Sequence, residues 1–139
     1  MADITIGSDD LKIIIRGLDE AQRANVRHLN SLKMNGALGE AVRRMETEAI
    51  FASRDLTHVW TGTLRASHIG DRPYQESDFV RGVVHIAPNQ NPIHGIPANI
   101  YGVTEHTRGF THAFYERVAN ERGQAILKIG ADAYQRGLR

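Results

Sequence analysis

Seven histidines carry most of the metal- and proton-handling capacity of this 139-residue chain: His28, His58, His68, His85, His94, His106 and His112. A zinc site needs ligands that converge at short, defined spacing. Neither an HExxH nor an HxH pattern occurs, and the one helical i, i+4 pair of ligand types is His112 with Glu116. The spacing therefore predicts solvated or singly hydrogen-bonded histidines and no metal ligands. Cysteine is absent, which excludes disulfides, thiolate nucleophiles and cysteine-based zinc sites and suits a reducing compartment. The paired carboxylates have local explanations: Asp9-Asp10 falls in a turn and Asp19-Glu20 at a helix start. No phosphate-cradling GxxxxGKS/T or GxGxxG and no nucleophile elbow GxSxG is present. No catalytic residue and no cofactor is expected, so the chain reads as non-enzymatic.

Charge and hydropathy narrow the partners. A net charge of +1 gives no global field toward nucleic acid or membrane. The N-terminus Met1-Ala2-Asp3 is polar and no apolar run approaches membrane-spanning length, so neither a leader nor a span is expected. Fourteen arginines stand against three lysines. This fits either a bias in the coding sequence or an interface rich in planar, bidentate ion pairs. From His106 to Arg139 six basic residues face three acidic ones, which is either a weak nucleic-acid face or a solvated helix surface.

The elements that must position these groups follow from periodicity. Asp3–Ile6 and Leu11–Arg16 read as short strands around the turn Gly7–Asp10. Asp19 and Gln22 form a capping-box pattern before a helix carrying Leu18, Ala21, Val26, Leu29 and Leu32. A second, longer helix is predicted from about Ala37 to Asp55. Leu38, Ala41, Val42, Met45, Ala49, Ala52 and Leu56 form its apolar stripe, with Glu40, Arg43, Arg44, Glu46 and Glu48 on the surface. Beyond Trp60 the period turns to alternation. Arg65–Arg72 and Phe79–Ala87 read as a hairpin across the loop Pro73–Asp78, and Ile100–Glu105 as a last strand. Between them Pro88–Pro97 reads as an exposed, mobile loop. Thr111 is placed to cap a final helix, with Phe110 and Tyr115 as a hydrophobic staple and Phe114, Val118, Ala125, Ile129 and Ala133 on its buried face. Gly123, Gly130 and Gly137 share one face of that helix. Either they let another backbone approach closely, or the helix frays before Gly130. The fold class predicted is α+β: a small antiparallel sheet, with the long amphipathic helix and the C-terminal helix packed mainly on one face. One domain spans 1–139, with an exposed loop at 88–99.

Within this frame the segment Trp60–Ser67, WTGTLRAS, resembles the TGxLRxS signature of the bacteriophage HK97 gp10-like family, the tailed-phage neck and tail-completion proteins. Tyr101–Thr107, YGVTEHT, is similar to that family's YaxxvEfGT stretch, and Leu11–Leu18 with GLDE to its usual start. The matching positions are Thr61, Gly62, Leu64, Arg65, Tyr101 and Glu105. Departures occur at Val59-Trp60, at His106 and before Thr107, where a glycine is missing. Physically, Gly62 permits a sharp reversal, the hydroxyls of Thr61 and Thr63 can satisfy free backbone groups, Leu64 anchors the following strand and Arg65 can pair with Glu105. The resemblance implies a structural virion protein at the head–tail joint, present in the host cytoplasm during assembly. It would form a sixfold or twelvefold ring with itself, contact neighbouring connector and tail proteins, and pass DNA through its channel without sequence-specific binding. Subunit contacts are expected at Asn91, Ile93, His94 and Ile96 of the loop and at Gly123 and Gly130 of the last helix. The alternatives are a tail-terminator ring and a small nucleic-acid-binding protein.

Overall fold

A computed structural model of the protein describes residues 4–6, 12–16, 32–58, 62–77 and 79–138. The helix expected behind Asp19, and Trp60 and Thr61 of the motif, lie outside them. Strands β1 (Ile4–Ile6) and β2 (Lys12–Arg16) fall on the two aliphatic runs. With β3 (His68–Glu76) and β4 (Phe79–Ile86) they form a four-stranded antiparallel sheet in the order β1-β2-β4-β3. The fold is α+β, as expected.

Helix α1 (Ala37–Leu56) is the central rod. Every member of its predicted stripe is buried, and each fully buried side chain such as Leu38, Val42 or Met45 contributes about 1.5–3 kcal/mol. One side of α1 lies on the sheet, where a β-carbon added to Gly82 would come within 2.9 Å of Val42 Cγ1. The opposite side meets the C-terminal helix, where a β-carbon at Gly130 would lie 2.3 Å from Met45 Sδ and one at Gly137 2.6 Å from Ala37 Cβ. The helical layers thus stack on one face of the sheet, with α1 between sheet and C-terminal helix.

Several boundaries differ from expectation. The strand expected to open at Arg65 begins at His68, because Gly62 (φ 84°) turns the chain into a short helical turn, α2 (Thr63–Ala66). The Ser67 hydroxyl donates to the Thr63 carbonyl (2.5 Å) and Ser67 N–H to the Leu64 carbonyl (3.1 Å), closing that turn. The loop expected at Pro73–Asp78 is largely strand. Pairing shifts between Asp71 and Tyr74, so β3 carries one extra residue there. A proline, which lacks a ladder donor, is tolerated at such a bulge on an edge strand.

The largest correction concerns Ile100–Glu105. It is not a strand but part of α3 (Ala98–Thr107). Pro97 takes the extended conformation that precedes a helix start, Ala98 is buried, and Gly102, four residues on, faces inward. A β-carbon at Gly102 would come within 2.7 Å of Ile86 Cδ1 and 2.9 Å of Leu64 Cδ1. Ile100 and Val103, three residues apart, are left on the outer surface of α3.

The C-terminal helix consists of α4 (Phe114–Arg117), a π-helical turn (Val118–Arg122) and α5 (Gly123–Gly137). No Thr111 cap and no Phe110–Tyr115 staple form: Phe110 has φ 49° and is 94% exposed, whereas Tyr115 is buried. The wider π turn adds a residue to one revolution and shifts the stripe. Phe114, Val118 and Ala133 are buried as predicted, but Ala125 is exposed and Ile129 half-buried, and Gly123, Ile126, Gly130 and Tyr134 face the core instead.

Candidate functional site

Three features can be built upward from side chains: a buried polar chain, an exposed apolar strip and a histidine–carboxylate cluster. The polar chain starts at the C-terminal end of α1. The Thr57 hydroxyl donates to the Ser53 carbonyl (2.6 Å), so its oxygen is left to accept from His68 Nε2–H at 2.7 Å. That fixes the tautomer, and His68 Nδ1 accepts from the Tyr115 hydroxyl (3.0 Å). Burial, with the nearby Arg54 guanidinium, pushes the His68 imidazole down to about 3, and burial raises the Tyr115 phenol well above its ordinary value. Phe114 meets the His68 ring edge-on at 5.1 Å. His68 is therefore a neutral core residue, not a solvated one and not a proton acceptor at neutral pH.

Glu46 is a second buried ionisable group, contrary to its expected place on the surface. It is 7% exposed and fills the space left by two glycines of the facing strands. A β-carbon at Gly70 would lie 2.2 Å from Glu46 Oε1, and one at Gly82 2.8 Å from Oε2. Val83 N–H donates to Oε2 (3.1 Å). Burial outweighs this bond and raises the carboxyl to about 7.

The apolar strip occupies the segment expected to meet neighbours. Ile93 (66% exposed), Ile96, Ile100 (59%) and Val103 are all outward. Asn91 is not: it is 2% exposed and acts as the keystone of the loop. Its Oδ1 accepts from Ile93 N–H (2.9 Å), its N–H donates to the Ile96 carbonyl (3.1 Å) and its carbonyl accepts from Gly95 N–H (2.8 Å). His94 is exposed, with Nδ1 accepting from Ile96 N–H (3.0 Å) and its ring edge-on to Tyr101 at 5.1 Å. At the base, Asn89 Nδ2 donates to Ser67 Oγ (3.0 Å) and Ala98 N–H to the Asn89 carbonyl (2.8 Å). The loop is thus closed on itself at its base and tied through Asn89 to the turn that follows Gly62. Gly123 and Gly130 face the protein's own core rather than a neighbour.

Among the motif residues, Leu64 is buried and Gly62 adopts the left-handed conformation. Arg65 lies 3.9 Å from Asp55, not beside Glu105. Glu105 instead accepts from Arg108 (3.2 Å) and from His112 Nδ1. Burial pushes the Glu105 carboxyl up, but the hydrogen bonds from His112 and Arg108 outweigh it and hold the group below the usual range. The His58 and His112 rings lie 4.3 Å apart, tilted by 33°. One ligand atom each of His58, Glu105 and His112 falls within 4.8 Å of the others. This convergence was not legible in the sequence, since the residues come from the segment after α1, from α3 and from the approach to α4.

The basic excess of the C-terminal segment is largely neutralised locally. Arg108 pairs with Glu105, Arg117 with Glu121 (3.1 Å), Arg122 with Asp55 (3.7 Å) and Lys128 with Asp132 (2.8 Å). No helix among the described residues is long and apolar enough to cross a membrane. Compared with protein-family models, curated proteins and solved structures, the chain finds no match.

Proposed function

We propose that this chain is a structural subunit of a tailed phage or phage-like particle, assembling into a ring at the joint between head and tail. The observation that carries the reading is the exposed strip Ile93, Ile96, Ile100 and Val103, set on a hydrogen-bonded loop and a helix that Gly102 seats tightly on the core. Large apolar side chains left exposed on neighbouring segments are candidate contact sites, and a closed ring needs each copy to offer one such surface to a different surface of the next. The signature around Gly62 and Leu64 supports the same reading. It forms the turn that ties the strip to the sheet, so its place is architectural. Edge pairing along β3 is a weaker candidate for the contact, because the bulge at Pro73 interrupts its outer edge.

The test is particle assembly with an Ile100→Asp/Val103→Asp variant, checked for an unchanged circular-dichroism spectrum and melting curve. The expected outcome is filled heads and normal-length tails lying unjoined. Normally joined particles would overturn the strip as the joint. Overlong tails would reassign the protein as the terminator of tube growth.

A further inference from the structure

We propose that His58, Glu105 and His112 form a binding site for a divalent cation of the zinc class. Two imidazoles and one carboxylate are the ligand types that favour zinc and its transition-metal neighbours over magnesium or calcium, which prefer all-oxygen shells. The three ligand atoms already lie within 4.8 Å of one another. At zinc–ligand bonds of about 2.0–2.1 Å, tetrahedral ligands stand roughly 3.3 Å apart. Rotation of the exposed His58 side chain can supply most of that closure, because Glu105 and His112 already touch. Cation binding would replace the hydrogen bond between them by two bonds to the metal, the proton of His112 Nδ1 passing to Nε2 of the neutral ring or to solvent.

The surroundings fit a cation with an open position. Arg108 donates to Glu105 Oε2, leaving Oε1 toward the imidazoles. It thereby orients the carboxylate as an outer hydrogen-bond donor does at metal sites. Two neutral imidazoles and one carboxylate leave a zinc ion with net positive charge, and the guanidinium adds to it. The fourth ligand would therefore be water, hydroxide or a carboxylate from another molecule. The bound ion would cross-link three segments: the chain leaving α1 before the Gly62 turn, the end of α3, and the entry to α4.

The test uses the full chain without an affinity tag. Zinc chloride is titrated calorimetrically, and Co2+ serves as a spectroscopic probe of four-coordination. The wild type is expected to bind one zinc ion saturably and to show intense Co2+ absorption. His58→Ala, at an exposed position, and Glu105→Gln should each weaken binding by roughly tenfold or more. His85→Ala, on the sheet beside Asp71, should bind as the wild type. A wild-type chain without saturable binding, or His58→Ala binding as tightly as wild type, would overturn the site.

Discussion

Glu46 and His68 are buried for opposite reasons and respond to pH in opposite directions. The Glu46 carboxyl, raised to about 7, favours the fold in its protonated form. That contribution is complete below the unfolded value near 4.5 and is lost as pH rises through 7. The His68 imidazole, lowered to about 3, favours the fold as the neutral base. Its contribution is present above about 6.5 and is lost as pH falls toward 3. Between about 4.5 and 6.5 the two slopes oppose each other. Glu46→Gln is expected to raise stability at pH 8 by about 1–3 kcal/mol. It should also expose the histidine's slope, with stability rising steadily from pH 3 to 6.5 in urea melts. A variant no more stable than wild type at pH 8 would show that the buried carboxylate is better solvated than its setting implies. Tyr115→Phe should cost about 1–3 kcal/mol by leaving His68 Nδ1 without its donor, read as a lower urea midpoint at unchanged slope. Neither residue was legible in the sequence. Glu46 is polar and adjoins the apolar stripe, and only Gly70 and Gly82, more than twenty positions away, make its room. His68 opens a strand, where alternation alone cannot say which partner meets its ring.

Among the elements, α1 and the β4 run were legible almost residue by residue, α1 from its unbroken helical stripe and β4 from its concentration of β-branched residues. It misreads elements where the period is broken by something local. The π turn at Val118–Arg122 displaces the buried stripe of the C-terminal helix, so regular spacing points to Ala125 and Ile129 when Ile126 and Gly130 are inside. Deleting Asn120 removes the extra residue of that turn, so the helix is expected to wind regularly while Gly123, Ile126, Gly130 and Tyr134 keep facing the core. Stability should change by less than about 1 kcal/mol in chemical denaturation, and a loss of about 2 kcal/mol or more, like that of a core truncation, would show that the wide turn itself is needed. Gly130→Val should cost about 1–3 kcal/mol through its collision with Met45, against a propensity gain of less than about 1 kcal/mol. Equal stability would mean that Met45 has space to retreat. The helix α3 was misread for a different reason. Tyr101, Val103 and Glu105 alternate with smaller or polar residues, which mimics a strand. The spacing from Ala98 to Gly102 that seats the helix has no apolar side chain to announce it.

For the whole molecule, the loop and α3 carry the exposed side chains Ile93, Ile96, Ile100 and Val103, while Gly123 and Gly130 of the last helix are buried. Gly123 and Gly130, expected at subunit contacts, are buried within the chain, and the small residue at Gly130 lets the helix approach Met45 of α1. The ion pairs along residues 105–132 also set an expectation for nucleic acid. The isolated chain should bind duplex DNA only weakly at 0.15 M salt, with a shallow dependence on salt concentration. A steep dependence in a filter-binding or anisotropy titration would favour the nucleic-acid-binding alternative.

The position of α1, covered on one side by strands and on the other by α5, has a consequence for biosynthesis. A nascent chain that has been made only as far as Gly109 holds its sheet and its central rod but lacks the helix that covers Ala37 and Met45. It also lacks the phenol that partners His68. Such a chain would emerge from the ribosome with a greasy flank open to chaperones and proteases. Closure of the core on both sides of the rod therefore waits on the residues that follow Gly109.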